Sequence, residues 1–82
     1  MTHRDLRDWL VRFVAELLDI APSEVDASAT WETLGVDSAT ILVLVAELSA
    51  GPGWRVRPIE VLEHPTISSL AAHLTVTAPA GV

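Results

Sequence analysis

The sequence contains no cysteine and few basic residues, and these two shortages limit the chemistry open to the chain. Without cysteine there is no disulfide framework and no thiolate for catalysis or metal binding, so any thiol must come from a cofactor. Eleven acidic residues against five basic ones give a formal charge of −6. This charge repels nucleic-acid phosphates and anionic membranes and attracts basic protein surfaces. We therefore expect neither nucleic acid nor membrane as a partner.

Long apolar runs are also missing. The start, Met1 to Asp5, lacks the apolar stretch of a signal peptide, and no uninterrupted apolar segment is long enough to cross a bilayer. The 82 residues fit one small domain with a thin core. The methionine start and this length favour a freestanding protein, with excision from a longer one as the alternative. We expect a soluble, cytoplasmic monomer.

A long amphipathic helix is predicted near the start. From about Asp5 to Asp19 the apolar residues follow one helical stripe, formed by Leu6, Trp9, Leu10, Phe13, Val14, Leu17 and Leu18. Pro22 should stop this helix near Ile20. The following connection runs to Asp37 and has room for one helical turn at Pro22 to Glu24. Three apolar side chains should pin it to the core, namely Val25, Trp31 and Leu34.

The second predicted helix runs from Ser38 to about Ser49. Its inward face is predicted from helical spacing and consists of Ile41, Leu44, Val45 and Leu48. The unbroken apolar run 41–45 would also suit a buried strand. The cap before the run and the Ala46 to Leu48 continuation favour the helix, which the glycines around Pro52 should end.

Two shorter helices complete the predicted fold. Pro58 suits the first turn of a third helix that runs through about Glu63. A fourth helix should run from about Thr66, its cap, to Leu74, with a buried stripe of Ile67, Leu70, Ala71 and Leu74. Residues 75–82 show no packing pattern and are predicted to form a flexible tail. The sequence thus predicts an all-α domain over residues 1–74, a small four-helix bundle of three main helices and one short third helix.

The segment from Trp31 to Ser38 carries the strongest functional signal. Gly35 can adopt the positive φ of a tight turn, and Asp37 or Ser38 can cap the next helix, which by itself is an ordinary N-cap. An apolar helix and the sequence Glu63-His64-Pro65-Thr66-Ile67 follow it. This order and spacing closely resemble the acyl and peptidyl carrier proteins of fatty-acid, polyketide and nonribosomal-peptide synthesis, over roughly residues 4–74.

The resemblance implies a carrier fold and a covalent cofactor. The serine that carries 4′-phosphopantetheine in this family matches Ser38. A phosphopantetheinyl transferase with Mg²⁺ would move the arm from coenzyme A to this hydroxyl, and the arm's thiol would hold an acyl group as a thioester. Asp37 matches the acidic residue before the family's serine, and it either orients the transferase or its metal ion or serves only as a helix cap.

The second helix departs from the family pattern. Ala39 stands where many synthase carriers have Leu or Met, and Val43 stands where they have an acidic residue. We expect Val43 to be exposed, with burial by a rotated helix as the alternative. An exposed apolar patch often marks a binding surface. The predicted partner surface comprises Ala39, Leu42, Val43, Ala46 and Glu47, with Glu60 and Glu63 as further acidic candidates.

The sequence does not predict a catalytic or metal site. Ser38 has no glycine two residues to either side, so it does not form the nucleophile elbow of hydrolases. His3 lies near the terminus, His64 lies beside a proline, and His73 is expected on the outer face of the last helix. The histidines lack metal-ligand spacing. We expect a protein that is not an enzyme, and a small serine hydrolase is the weakest alternative.

The Gly-Val-Asp-Ser motif at residues 35–38 resembles polyketide-type acyl carriers more than peptidyl carriers, and it favours a role in antibiotic or other secondary metabolism. A peptidyl carrier of a nonribosomal peptide synthetase is the alternative. The partners implied are a phosphopantetheinyl transferase, an acyltransferase or acyl-adenylate-forming ligase that loads the acyl group, and a ketosynthase. An alternative from another class is a helical interaction module that needs no modification.

Overall fold

The computed structural model describes residues 2–77, and this part of the chain is all-α, as predicted. Five α-helices and one short 3-10 turn follow one another as α1 (His3–Leu18), the 3-10 turn (Pro22–Glu24), α2 (Trp31–Leu34), α3 (Ser38–Ala50), α4 (Pro58–Glu63) and α5 (Ile67–Thr77). The only pairing of β type in this region is an isolated bridge between Thr30 and Thr66. The strand alternative for residues 41–45 is therefore wrong.

Helix α1 begins two residues before the predicted start because Thr2 and Asp5 form a capping box. The Asp5 N–H donates to Thr2 Oγ1 at 3.1 Å, and the Thr2 N–H donates to Asp5 Oδ2 at 3.3 Å. The helix ends at Asp19, which adopts a left-handed conformation with φ of 57°. Pro22 then opens the predicted short helical turn.

The core is formed by the predicted apolar stripes of the helices, except that Leu17 of the α1 stripe is 43% exposed. Its fully buried large side chains are Leu6, Leu10, Val14, Leu44, Leu48, Val61, Ile67 and Leu70. Helix α1 packs mainly on α5, and α3 packs on α4. Ile41 is also buried and Val45 is partly buried against the core, so the predicted inward face of α3 is confirmed.

The long connection is fastened to the start of α5. The Trp31 N–H donates to Pro65 O at 2.9 Å, and the Ser68 N–H donates to Ala27 O at 3.0 Å. Val25 and Trp31 are buried and Leu34 is partly buried, as predicted. The single turn α2 was not predicted, because four residues are too few to show a helical period.

Helix α5 continues three residues beyond its predicted end at Leu74, so residues 75–77 belong to the helix rather than to a tail. The apolar stripe stops at Leu74, but nothing breaks the backbone there. The Thr75 hydroxyl donates to Ala71 O at 2.8 Å, within the helix, and the first helix-breaking residue is Pro79. Residues 78–82 of the predicted tail lie outside the described residues.

Candidate functional site

The loop before Ser38 is held by one turn and one buried side chain. Gly35 has φ of +85°, a conformation that other residues rarely adopt, and it ends α2. Val36 is buried, and its N–H donates to Trp31 O at 2.8 Å. The chain therefore leaves the core at a fixed place, and the next three residues, Asp37, Ser38 and Ala39, are exposed.

Asp37, and not Ser38, caps α3. The backbone N–H and the hydroxyl of Thr40 both donate to Asp37 Oδ1, at 2.9 and 2.8 Å. These two donors, the backbone N–H first, lower the pKa of the Asp37 carboxyl below its ordinary value. Asp37 is consequently an ionised, exposed carboxylate at neutral pH.

Because the cap is already supplied, the Ser38 hydroxyl remains open. Ser38 is the exposed first residue of α3. No group in residues 2–77 forms a hydrogen bond with its Oγ atom, and no histidine of this region stands next to it as a base. The geometry offers an accessible hydroxyl to which no base in residues 2–77 is hydrogen-bonded.

The position of Ser38 also suits an attached anion. Helix α3 is 13 residues long, and its N-terminal end carries a partial positive charge that favours a negative group. Asp37 satisfies the Thr40 N–H, but the N–H groups before it have no carbonyl partner one turn back. A phosphodiester on the Ser38 oxygen would lie at this favourable end of the helix.

The outer face of α3 is apolar, as predicted. Leu42 is 59% exposed and Val43 is 49% exposed, so the alternative in which the helix buries Val43 is wrong. Ala39, Ala46 and Glu47 are exposed on the same helix. At the edge of this face Glu47 lines a shallow cleft of about 340 Å³ together with Trp9, Arg12, Phe13 and Glu16 of α1.

Helix α4 presents different residues from those predicted. Glu60 faces α5: its Oε2 accepts the Arg57 N–H at 2.7 Å, and its Oε1 lies 3.2 Å from His73 Nε2. These contacts, the Arg57 N–H first, lower the pKa of the Glu60 carboxyl. Instead, Ile59 and Leu62 are 48% and 58% exposed, and Glu63 is exposed as predicted. Glu60 is thus removed from the candidate partner surface.

Sequence reasoning missed Ile59 and Leu62, and the only signal was the high aliphatic content of α4. Helix α4 has only six residues, and three of them are large aliphatic residues. Val61 points into the core, and its neighbours in so short a helix cannot share that direction. Three aliphatic residues in six indicate that some are exposed, but helical spacing alone would have buried Ile59 and Leu62, which lie three residues apart, rather than Val61.

The expectation that His73 lies on the outer face of the last helix is wrong. His73 is partly buried between α5 and α4, and its ring stacks on that of His64 with centroids 3.9 Å apart. The reason is that the Glu60 carboxylate and the His64 ring contact His73 from outside α5, and the period of one helix does not reveal such contacts. Within residues 2–77 there is no group of three or more side chains arranged to hold a metal ion. No helix in this part of the chain has the length and apolar content to span a bilayer.

Known proteins resemble the chain in sequence and in fold. The family model described as a phosphopantetheine attachment site matches residues 8–74. One component of the phenolphthiocerol/phthiocerol polyketide synthase of Mycobacterium tuberculosis is 43% identical over 75 residues, which are 92% of this chain and 4% of that protein. Acyl carrier protein TtuC of Teredinibacter turnerae is 28% identical over 71 residues, which are 87% of this chain and 82% of that protein.

A solved structure shows the same fold. A free-standing peptidyl carrier protein from Acinetobacter baumannii superposes with a TM-score of 0.85 over 95% of this chain and 98% of that one, at 20% identity. The family match covers most of the chain and includes the Gly35 turn, the capped α3 and the α4–α5 junction. The chain therefore belongs to the phosphopantetheine-binding family of carrier domains.

Proposed function

We propose that this chain is an acyl carrier that holds biosynthetic intermediates as thioesters on a 4′-phosphopantetheine arm attached to Ser38. The observation that carries this proposal is the exposed Ser38 hydroxyl, which forms no hydrogen bond within residues 2–77 and stands at the start of α3. The arm, when bound, supplies the thiol that this cysteine-free chain lacks. The chain itself acts as a substrate of its partner enzymes and not as a catalyst.

The residues around Ser38 would each contribute to the attachment of the arm in a different way. Gly35 and Val36 fix the place at which the chain leaves the core, and Asp37 keeps α3 intact up to Ser38. The helix end stabilises a phosphodiester anion on the Ser38 oxygen. The ionised Asp37 carboxylate is close enough in sequence to orient the transferase or its metal ion while it caps the helix.

A polyketide pathway is the proposed setting. The synthase relative at 43% identity supports it, whereas the likeness to a peptidyl carrier at 20% identity concerns the fold alone. Because coenzyme A is the source of the arm, we place the protein in the cytoplasm. We also propose that it is a monomer. Its partners are a phosphopantetheinyl transferase, a loading acyltransferase or acyl-adenylate-forming ligase, and a ketosynthase.

We further propose that these enzymes read one docking surface beside Ser38. It consists of Ala39, Leu42, Val43, Ala46 and Glu47 of α3 with Ile59, Leu62 and Glu63 of α4. Its centre is apolar, its rim carries two exposed carboxylates, and neither helix contains a basic residue. A partner that fits it has an apolar contact region with basic groups at the edge.

Intact-mass measurement after incubation with coenzyme A and a broad-specificity phosphopantetheinyl transferase tests the proposal. Wild type should gain one phosphopantetheine, and Ser38→Ala should gain none. Ser49→Ala is the matched control, because Ser49 is an exposed serine at the other end of α3, and it should gain one group. No gain by wild type, under conditions that modify a known carrier, would instead favour an unmodified helical interaction module.

A further inference from the structure

The Trp31 indole supplies a hydrogen-bond donor that the end of α4 lacks. Residue Val61 would bond to the N–H four residues later, but that residue is Pro65, which has none. Trp31 Nε1–H fills this gap: it is shared between Val61 O and His64 O, at 3.0 Å each. The indole is only 5% exposed, so water does not replace this donor.

The second carbonyl in this contact, His64 O, is only partly buried, and it also lacks the N–H that a continued helix would supply. The N–H four residues after His64 belongs to Ser68, and it is donated to Ala27 O instead. At the end of α4, the carbonyl oxygens of Val61 and His64 therefore both accept a hydrogen bond from the same indole N–H. A phenylalanine at position 31 would fill much of the same space but would donate nothing.

The backbone of Trp31 holds the segment that leads to Ser38. Its carbonyl accepts the Val36 N–H at 2.8 Å, and its own N–H donates to Pro65 O at 2.9 Å. Val36 lies two residues before Ser38, and Leu62 lies next to Val61 in α4. One buried residue thus links the Ser38 loop, through its backbone, with the turn that bears Leu62, through its side chain.

We propose that Trp31 is a positioning residue for partner recognition: its indole N–H holds the last turn of α4 so that Leu62 and Glu63 keep a fixed place relative to Ser38. This inference rests on the proposed function, because it assumes that enzymes read Ser38 and α4 together. Trp31 itself is buried, so its effect on recognition is exerted through the residues that it holds. Without the donor, the last turn of α4 opens, and a partner that contacts both elements binds more weakly.

The test compares Trp31→Phe with Trp54→Phe as substrates of a broad-specificity phosphopantetheinyl transferase, with coenzyme A in excess. The Trp54 indole forms no hydrogen bond within residues 2–77, and its backbone bond to Leu48 O survives substitution. Loss of a shared buried hydrogen bond should raise the KM of Trp31→Phe by about tenfold, with kcat changed by less than about twofold. The KM of Trp54→Phe should equal that of wild type.

Val14→Ala controls for lost stability, since it opens a cavity at α1, a helix that takes no part in the hydrogen bonds of Trp31. Equal KM values for Trp31→Phe and wild type would overturn the inference, and so would an equal rise in Val14→Ala. Failure of wild type to accept the arm at all would overturn the proposed function itself.

A measurement on wild type decides the case in which Trp31→Phe does not fold. In heteronuclear NMR spectra the Trp31 indole proton should exchange slowly with solvent. Its exchange should report the same local opening as that of the His64 amide, which donates to Glu60 O. The Trp54 indole proton should exchange much faster. Exchange of the Trp31 indole proton as fast as that of Trp54 would show that the link does not hold α4, and the inference would fall.

Discussion

At the scale of single residues, the site depends on a division of roles between Asp37 and Ser38. Either side chain is a good helix cap, and the sequence alone left both open. In the fold Asp37 takes both donors of Thr40, so the Ser38 hydroxyl is not used in holding the helix. A residue that carries a cofactor can then be modified without loss of the structure that presents it.

The first prediction follows from this division. Ser38→Ala should change the free energy of unfolding by less than about 0.5 kcal/mol, because the side chain removed is exposed and forms no hydrogen bond within residues 2–77. Asp37→Ala should lower stability clearly, since it removes the cap, whereas Asp37→Asn should retain it because asparagine also caps. Urea denaturation measures all three. A larger loss in Ser38→Ala than in Asp37→Ala would show that the cap is assigned to the wrong residue.

A comparison of wild type with Asp37→Asn distinguishes the capping role of Asp37 from a role of its negative charge. If the Asp37 carboxylate orients the transferase or its metal ion, Asp37→Asn should be modified more slowly than wild type at a temperature at which both proteins are fully folded. Initial rates of phosphopantetheine transfer, with thermal unfolding of each variant, give the answer. Equal rates for wild type and Asp37→Asn would leave Asp37 with the capping role alone.

The second prediction concerns pH. The pKa values of Asp37 and Glu60 are lowered in the fold from ordinary values of 3.8 and 4.5. A lowered folded-state pKa stabilises the fold fully above the unfolded value, and this contribution is lost as pH falls through the folded value. The free energy of unfolding should therefore decrease as pH falls below about 4.5, less steeply in Asp37→Asn. Stability independent of pH in this range would contradict the assigned hydrogen bonds.

At the scale of elements, α3 is apolar on two sides for two different reasons. Leu44 and Leu48 point into the core, and Leu42 and Val43 point outward beside Ser38. Packing in the core explains why Leu44 and Leu48 are apolar. Exposed leucine and valine do not improve solubility, so Leu42 and Val43 need another explanation. Helix α4, which packs on α3, also exposes the apolar side chains of Ile59 and Leu62, and the proposed docking with another protein accounts for both sets.

The third prediction uses two leucines of α3 that differ in burial alone. Leu44 is fully buried, and Leu44→Ala should lower the free energy of unfolding by about 2–5 kcal/mol because it leaves a cavity. Leu42→Ala removes the same atoms from a side chain that is 59% exposed, and it should cost less than about 1 kcal/mol. Chemical denaturation of both variants checks this order. Reversal of the order would mean that the faces of α3 are wrongly assigned.

The fourth prediction concerns docking. Val43→Glu should leave helix content and thermal stability nearly unchanged, because the two residues differ by less than about 1 kcal/mol in helix propensity. Loading of the pantetheinylated protein by its cognate acyltransferase or ligase should slow, since a charge would be buried at the interface. Leu17→Glu, on an exposed position of α1 outside the docking surface, is the control and should load normally. Normal loading of Val43→Glu would remove Val43 from the interface.

At the scale of the whole molecule, the sequence predicted the structural features that depend on the local period of apolar residues. It did not predict the contacts between segments that are distant in the chain. The stripes of α1, α3 and α5 indicated the all-α fold, the core and the exposure of Val43. The turn α2 is too short to show a period. The contact of Glu60 with His73, and the indole link from Trp31, exist only because distant segments meet, and no local pattern encodes them. Carrier function itself was predicted from the order and spacing of motifs, not from composition.

The central claim is that Ser38 carries the arm, and peptide mapping of the modified protein tests it most directly. Cleavage after Arg12 and Arg55 releases residues 13–55, which contain Ser38 and several other hydroxyl side chains. Fragmentation of this peptide by tandem mass spectrometry should place one phosphopantetheine on Ser38. Attachment at another hydroxyl, or retention of the group in Ser38→Ala, would contradict the account.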